Sequence, residues 1–425
     1  MTFSSGDPSF GQPSDSGQPV NPGQPGGPGQ LGNWPPPAHA APPAAMQPAA
    51  PLWHPAARPE PVAPSVLIVV LTVVGLSVLA LVLLVVLVYL SVALGAAAVI
   101  GCGILALIPL AVVVLATRWI DRWEPEPSAA QWFALLWGAG AAVAIALLVD
   151  LGSQIVQYLQ GAPPPSDFFQ SIVQAPLVEE SAKGLGVFIL FLVLKRTFDG
   201  PVDGVVYAAL TAGGFAFVEN ILYFGSALAE GGGGELAGTF FLRGLMSPFA
   251  HVMFTSCTGL ALGIAALKPG VLRTAIALVL GLLAAVLLHA LWNSAAYLAG
   301  DFIGYYVLVQ IPLFALAIVL VLWLRRREAR LIRRRLLEYA NAGWLTGHDV
   351  TMLGTATGRR GARAWAKSRQ PSASVLMKRF IRDATRLAYT RQRIVSGRDR
   401  KRALTDEKLL LAAVVADRNE IIALR

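Results

Sequence analysis

VLIVVLTVVGLSVLALVLLVVLVYLSVALGAAAVIGCGILALIPLAVVVLA, residues 66–116, runs without one charged side chain. A bilayer core needs about 20 consecutive apolar residues of α-helix, so this stretch is long enough to cross twice. Lipid offers the backbone no hydrogen-bond partner, and within a single segment only the α-helix satisfies every peptide group. The class follows: an integral membrane protein built of helices. Composition agrees, with 55% hydrophobic and 14% charged residues, a balance that no soluble core requires.

Outward from that pair the same pattern recurs, predicting an all-α, polytopic transmembrane helix bundle of about eight spans within a 66–324 domain. The spans are 66–90, 92–116, 131–151, 168–194, 203–229, 236–267, 271–299 and 304–324. The first two read as lipid-facing anchors. Arg118 and Arg122 follow the second span, Lys195 and Arg196 the fourth, Lys268 and Arg273 flank the turn after the sixth, and Arg325 to Arg327 follow the eighth. The connections 152–167, 230–235 and 300–303 carry no Lys or Arg. Basic loops stay in the cytoplasm, so a multi-pass plasma (inner) membrane protein with both termini cytoplasmic is expected.

Two flanks frame the spans. Residues 1–65 are rich in Pro, Gly, Gln and Ala with almost no charge; they bury too little to offset ordering entropy, and a disordered cytoplasmic tail is expected. They lack the basic n-region of a signal peptide, so the first span is expected to act as its own insertion signal. Residues 325–425 hold 25 of the 34 Lys and Arg and net +16. With helical spacing of apolar residues in REARLIRRRLLEYANAGWLT, 327–346, they read as a basic helical cytoplasmic tail. It would anchor topology and meet anionic lipid; no nucleic acid is expected. Cys102 and Cys257 lack paired spacing and suggest neither disulfide nor thiolate metal site. GCGILA, 101–106, resembles a dinucleotide fingerprint but follows no strand, so close helix packing is the expected role.

Ionisable residues inside a span are costly and usually face a bundle interior. Four clusters qualify. APLVEESAKG, 175–184, places Glu179 and Lys183 in the favourable i to i+4 order, with Glu180 turned about 100° away toward another helix. FAFVENILY, 215–223, sets Glu219 and Asn220 within an apolar span. FLRGLMSPFAHVMFTS, 241–256, repeats Arg243, Ser247 and His251 every four residues, a polar stripe beside the loosening Pro248. HALWNS, 289–294, holds His289 and Asn293 one turn apart. For the first and last alone, a solvated salt bridge or a helix-to-helix hydrogen bond is an adequate explanation; Glu219 with Asn220 fits a polar cavity better than a snorkelling charge, and the Arg243, Ser247 and His251 stripe is hard to assign to packing. Together, loop-charge topology puts all four in the outer half of the membrane, where they could share a cavity. Such a cavity offers a general base, an orienter and anion-stabilising donors for adding water to a carbonyl.

EExxK, FxxxEN, Arg with a His eight residues on, and HxxxN, in that order, resemble the PrsW-type intramembrane proteases, themselves distantly similar to CAAX prenyl proteases and bacteriocin-processing relatives. The resemblance covers about 66–324. It implies a membrane endopeptidase in which Glu179 and Glu180 are the paired acids, Lys183 the basic residue, Glu219 the second-motif acid, His251 the third-motif His, and His289 with Asn293 the last pair. It also implies a membrane-anchored substrate such as an anti-sigma factor, hence bacterial envelope signalling. No HExxH settles the mechanism. Glu219, His251 and His289 could ligate zinc with an open position; they could equally polarise a water with no metal. The adjacent acids favour a glutamate-activated water, with Glu179 as base, His251 assisting, and His289 with Asn293 on the oxyanion. GxGD and GxSxG are absent, which disfavours aspartyl and serine mechanisms. Competing readings are an ion- or proton-coupled transporter, which expects ionisable groups along the whole path, and a non-catalytic scaffold.

Overall fold

A computed structural model describes residues 65–424, less 162, 196, 269 and 299 and the side chains of 296 and 298. The expected disordered head, 1–65, lies outside the described residues apart from Ser65, whose hydroxyl caps the first helix by accepting from the Ile68 amide. Every apolar run read from the sequence is helical, and no strand occurs among the described residues. The protein is an all-α polytopic membrane bundle. In order come α1 (Val66–Leu94), α2 (Ala96–Ile120), α3 (Ser128–Gln160), α4 (167–193), α5 (Pro201–Phe240), α6 (Ala250–Ala266), α7 (Val271–Asn293) and α8 (Phe302–Asn341).

Six helical stretches among the described residues are long and apolar enough to cross a membrane, and 201–266 counts as one of them. That stretch doubles back. Gly232 has φ 68° and ψ −155°, a conformation that essentially only glycine adopts. Beyond it the returning arm runs beside the outgoing one, so that Phe240 packs on Phe224 and Arg243 reaches Asn220. α4 lies outside the six because Glu179, Glu180 and Lys183 fall within its length.

The helices approach closely through glycine, the usual device where lipid supplies no hydrophobic drive between helices. A Cβ on Gly204 of α5 would sit 1.9 Å from the carbonyl oxygen of Gly259 on α6, and one on Gly138 of α3 would sit 1.8 Å from that of Thr211. GCGILA does not do this: Gly101 has open space around it and Gly103 only an ordinary contact at 3.7 Å, while Cys102 fills the core. Nor is α2 only a lipid-facing anchor. Val99, Ala106, Pro109 and Val113 are buried, because α2 packs along α5, the most enclosed helix of the bundle. α1 does keep most of its surface outward.

After α8 the chain forms α9 (Gly347–Gly354), α10 (Ala356–Arg369), α11 (Pro371–Val395) and α12 (Arg400–Ala423). These pack with the end of α8 around Ile332, Leu336, Leu353, Phe380 and Leu387, and Trp123 from the α2–α3 loop joins that core. Buried polar contacts fix the junction. Arg359 donates to the Trp123 carbonyl at 3.1 Å and lies over its ring, Tyr389 donates to Glu328 at 2.7 Å, and Arg398 donates to the Phe198 carbonyl at 2.8 Å and to that of Lys195.

Candidate active site

Glu179, Glu180 and Lys183 occupy successive turns of α4, so two carboxylates and an ammonium gather at one level. Lys183 Nζ lies 2.7 Å from Glu180 Oε1 and 3.2 Å from Glu179 Oε2, with the lysine and Glu180 side chains fully buried and Glu179 at 13% exposure. Buried charges persist when paired and hydrogen-bonded, and Glu180 meets that condition completely. Its Oε1 is also 3.2 Å from His289 Nδ1, and its Oε2 accepts from the Thr255 hydroxyl at 2.8 Å. The turn of about 100° expected between the two acids is what separates these roles: Glu180 faces α6 and α7, Glu179 faces open space.

That space is a cavity of about 360 Å³ lined by Glu179, Glu219, Asn220, Arg243, His251, His289 and Asn293 among others. The structure therefore draws all four sequence clusters to one place, with Glu180 and Lys183 buried behind its wall. His251 links them. Its Nε2 is 2.8 Å from Glu219 Oε2 and its Nδ1 3.3 Å from Lys183 Nζ. Arg243 Nη2 stands 2.7 Å from the same Glu219 oxygen, while its Nε donates to Asn220 Oδ1 at 3.0 Å and its guanidinium covers the Tyr223 ring. Glu219 Oε2 satisfies no hydrogen-bond angle despite both short approaches; the Arg243 approach is a close ion pair, since distance sets the Coulomb attraction more than angle does.

Three expectations need correction. The ligand set Glu219, His251 and His289 is not the group brought together; among the described residues Glu179 joins the two histidines instead, with their ligand atoms all within 4.8 Å of one another. Glu219 meets His251 but shares that oxygen with Arg243. Asn293 does not pair with His289 toward the cavity alone, because its Nδ2 donates to the Ser171 carbonyl at 2.8 Å and so fixes the wide turn Gln170–Gln174 that precedes α4's acids. The Arg243, Ser247 and His251 stripe is no continuous helix face either. The helix opens into a wide turn at Phe241–Met246 and breaks at Ser247, whose hydroxyl donates back to the Leu242 carbonyl, and α6 restarts at Ala250 beyond Pro248.

Several neighbours escaped the sequence reading. Thr255 lies one turn beyond His251, and helical spacing alone could have found it. Phe215 carries Lys183 Nζ 4.2 Å above its ring, and Phe254 stacks on His289 at 4.7 Å; an aromatic in an apolar span gives no such signal. Trp137 donates its indole N–H to the Ala182 carbonyl at 2.9 Å, bracing α4 from α3.

Residues 126–318 match the family model described as PrsW family intramembrane metalloprotease. Over that segment the chain is similar to the PrsW family. Proteins named Protease PrsW from Clostridioides difficile (32% identical over 161 residues, 37% of this chain and 62% of the relative) and Geobacillus kaustophilus (32% over 145 residues, 34% and 57%) are similar to it. So is one from Oceanobacillus iheyensis, 34% identical over 128 residues, 30% of this chain and 54% of the relative. The chain thus spans between 54% and 62% of the length of these relatives. No solved structure matches it. The PrsW-type segment contains every residue of the cavity's charged cluster and ends before the C-terminal bundle.

Proposed function

We propose that this chain is a membrane-embedded endopeptidase that hydrolyses a peptide bond in a membrane-anchored protein, an anti-sigma factor being the kind of substrate the resemblance suggests. The observation that carries this is Glu179: it alone of the paired acids faces the cavity, while the buried Glu180–Lys183 pair stands behind it and His251 beside Lys183. Glu179 accepts a proton from a water as its oxygen bonds to the substrate carbonyl carbon. His251, held between Glu219 and Lys183, fixes Lys183 beside that water and assists its activation through it. His289, held by Glu180, and the second amide hydrogen of Asn293 face the oxyanion. Glu179 then returns the proton to the leaving amine as the C–N bond breaks. In chemical type and proximity Glu179, His251 and His289 also fit a divalent ion such as zinc, which would polarise the carbonyl and acidify a water.

Eight passes with both termini in the cytoplasm, at an inner membrane, complete the reading. On that topology the cavity lies in the outer half of the bilayer, and the cut falls at or just outside the outer boundary of a single-span substrate. Reconstituted protein is expected to cleave such a reporter there, and Glu179→Gln, nearly isosteric but without the basic oxygen, to abolish cleavage at unchanged expression. Mapping the new N-terminus checks both parts. Near-wild-type activity of Glu179→Gln would remove the base, a cytoplasmic cut would overturn the topology, and loss with chelator restored by zinc would establish the metal.

A further inference from the structure

Past the charged residues the cavity continues into an apolar lobe. Leu110 and Val113 on α2, and Val143 and Leu147 on α3 line it. α3 and α5 both start at the end of the bundle where Tyr207 donates to Glu126. Val143 comes seven residues before Asp150, and Gly213, also in the lining, six before Glu219. At about 1.5 Å per residue Val143 and Gly213 therefore lie roughly 9–10.5 Å deeper than the polar rim, and Leu110 and Val113 face Gly213 at that level. Phe215 lines the cavity between these levels on α5, two residues beyond Gly213 and four before Glu219, with Lys183 against its ring. No lobe side chain named here can make a hydrogen bond, so a peptide group entering it would be left unpaired at a cost of several kcal/mol. An apolar side chain meets no such penalty. An extended substrate advances about 3.3 Å per residue, so the lobe is in reach of the first three residues from the bond being cut.

We propose that this lobe is the specificity subsite for a large aliphatic or aromatic side chain on the membrane side of the scissile bond. The inference rests on the hydrolase reading and adds to it which bond is chosen: one just beyond the end of an apolar segment. Its continuity with the Glu179 cavity argues for substrate as the occupant over a resident lipid chain.

Single-span reporters differing only in the two membrane-side residues nearest the bond, Leu, Phe or Ala, test this with the full chain in vesicles. The Leu and Phe reporters should be cut at least about tenfold faster in kcat/KM than the Ala reporter. Ala146→Phe, which fills the lobe between Val143 and Leu147, should reverse that order, and Leu110→Ala should favour Phe over Leu. Photo-leucine at the same reporter position, with Glu179→Gln protein, should label 105–117 and 143–149. Cleavage with equal rates for Leu and Ala reporters overturns the subsite alone. Labelling of the lobe by a photoactivatable lipid that the reporter does not displace also overturns it. Labelling by the reporter with no cleavage by the wild type overturns the hydrolase reading and the subsite with it.

Discussion

At Glu180 both carboxylate oxygens are engaged and none of the side chain is exposed, which makes it a positioning residue whose effect runs through Lys183 and His289. Thr255 supplies one of those hydrogen bonds, from a side chain with no exposed surface. Thr255→Val keeps the shape and deletes the donor, leaving a buried carboxylate oxygen unpaired at about 1–3 kcal/mol. It is expected to lower kcat about tenfold or more with KM little changed, and Thr255→Ser to recover most of the loss. A Thr255→Val protein with wild-type kcat would show that Glu180 needs no such support. The acids, His251 and His289 were legible in the sequence because charge inside an apolar run is conspicuous. Which acid faces open space was not, since that depends on helix rotation fixed by α6 and α7, and the exchange of Glu179 for Glu219 beside the histidines has the same origin.

Among the elements, α5 and α6 set the tolerance of the whole bundle. Gly204 and Gly259 bring backbones close enough that any side chain collides with a main-chain carbonyl, which cannot rotate aside. Gly204→Leu is therefore expected to cost about 1–3 kcal/mol or more and to lower the melting temperature of the detergent-solubilised protein, whereas Gly101→Leu, facing open space, should be nearly silent. Equal effects would show that the contact is not what holds the pair. Hydropathy located these helices well, because length and apolarity are local properties. It could not show that α2 is partly enclosed or that wide turns interrupt three helices at 137–142, 170–174 and 241–246, since both follow from packing partners distant in sequence.

For the molecule as a whole, the junction between the membrane core and the C-terminal bundle is a store of buried acid. Burial, with the Asp203 and Asp121 carboxylates adding to it and Tyr389 and Arg325 opposing, pushes Glu328 up to about 8; burial likewise pushes Asp121 up to about 7. Both values stand above the ordinary carboxylate range near about 4. Their stabilising contribution is fully present below that range and is lost as pH rises through about 7 to 8. The melting temperature should fall, and α9 to α12 become more accessible to protease, between about pH 6 and about pH 9; Glu328→Gln, which stays neutral, should flatten the trend. A melting temperature that rises over that window, or a slope indifferent to Glu328→Gln, would refute it. The helix that carries Glu179, Glu180 and Lys183 has one more consequence, for biogenesis. On insertion scales each central charge costs about 2.5–3.5 kcal/mol, so three of them make α4 a poor passenger for the translocon by itself. Its partners Thr255 and His289 arrive only with α6 and α7, so this helix is expected to settle in the membrane out of its turn in the chain, and a ribosome stalled before His289 should leave behind a protein whose Glu179 and Glu180 have not yet entered the bilayer.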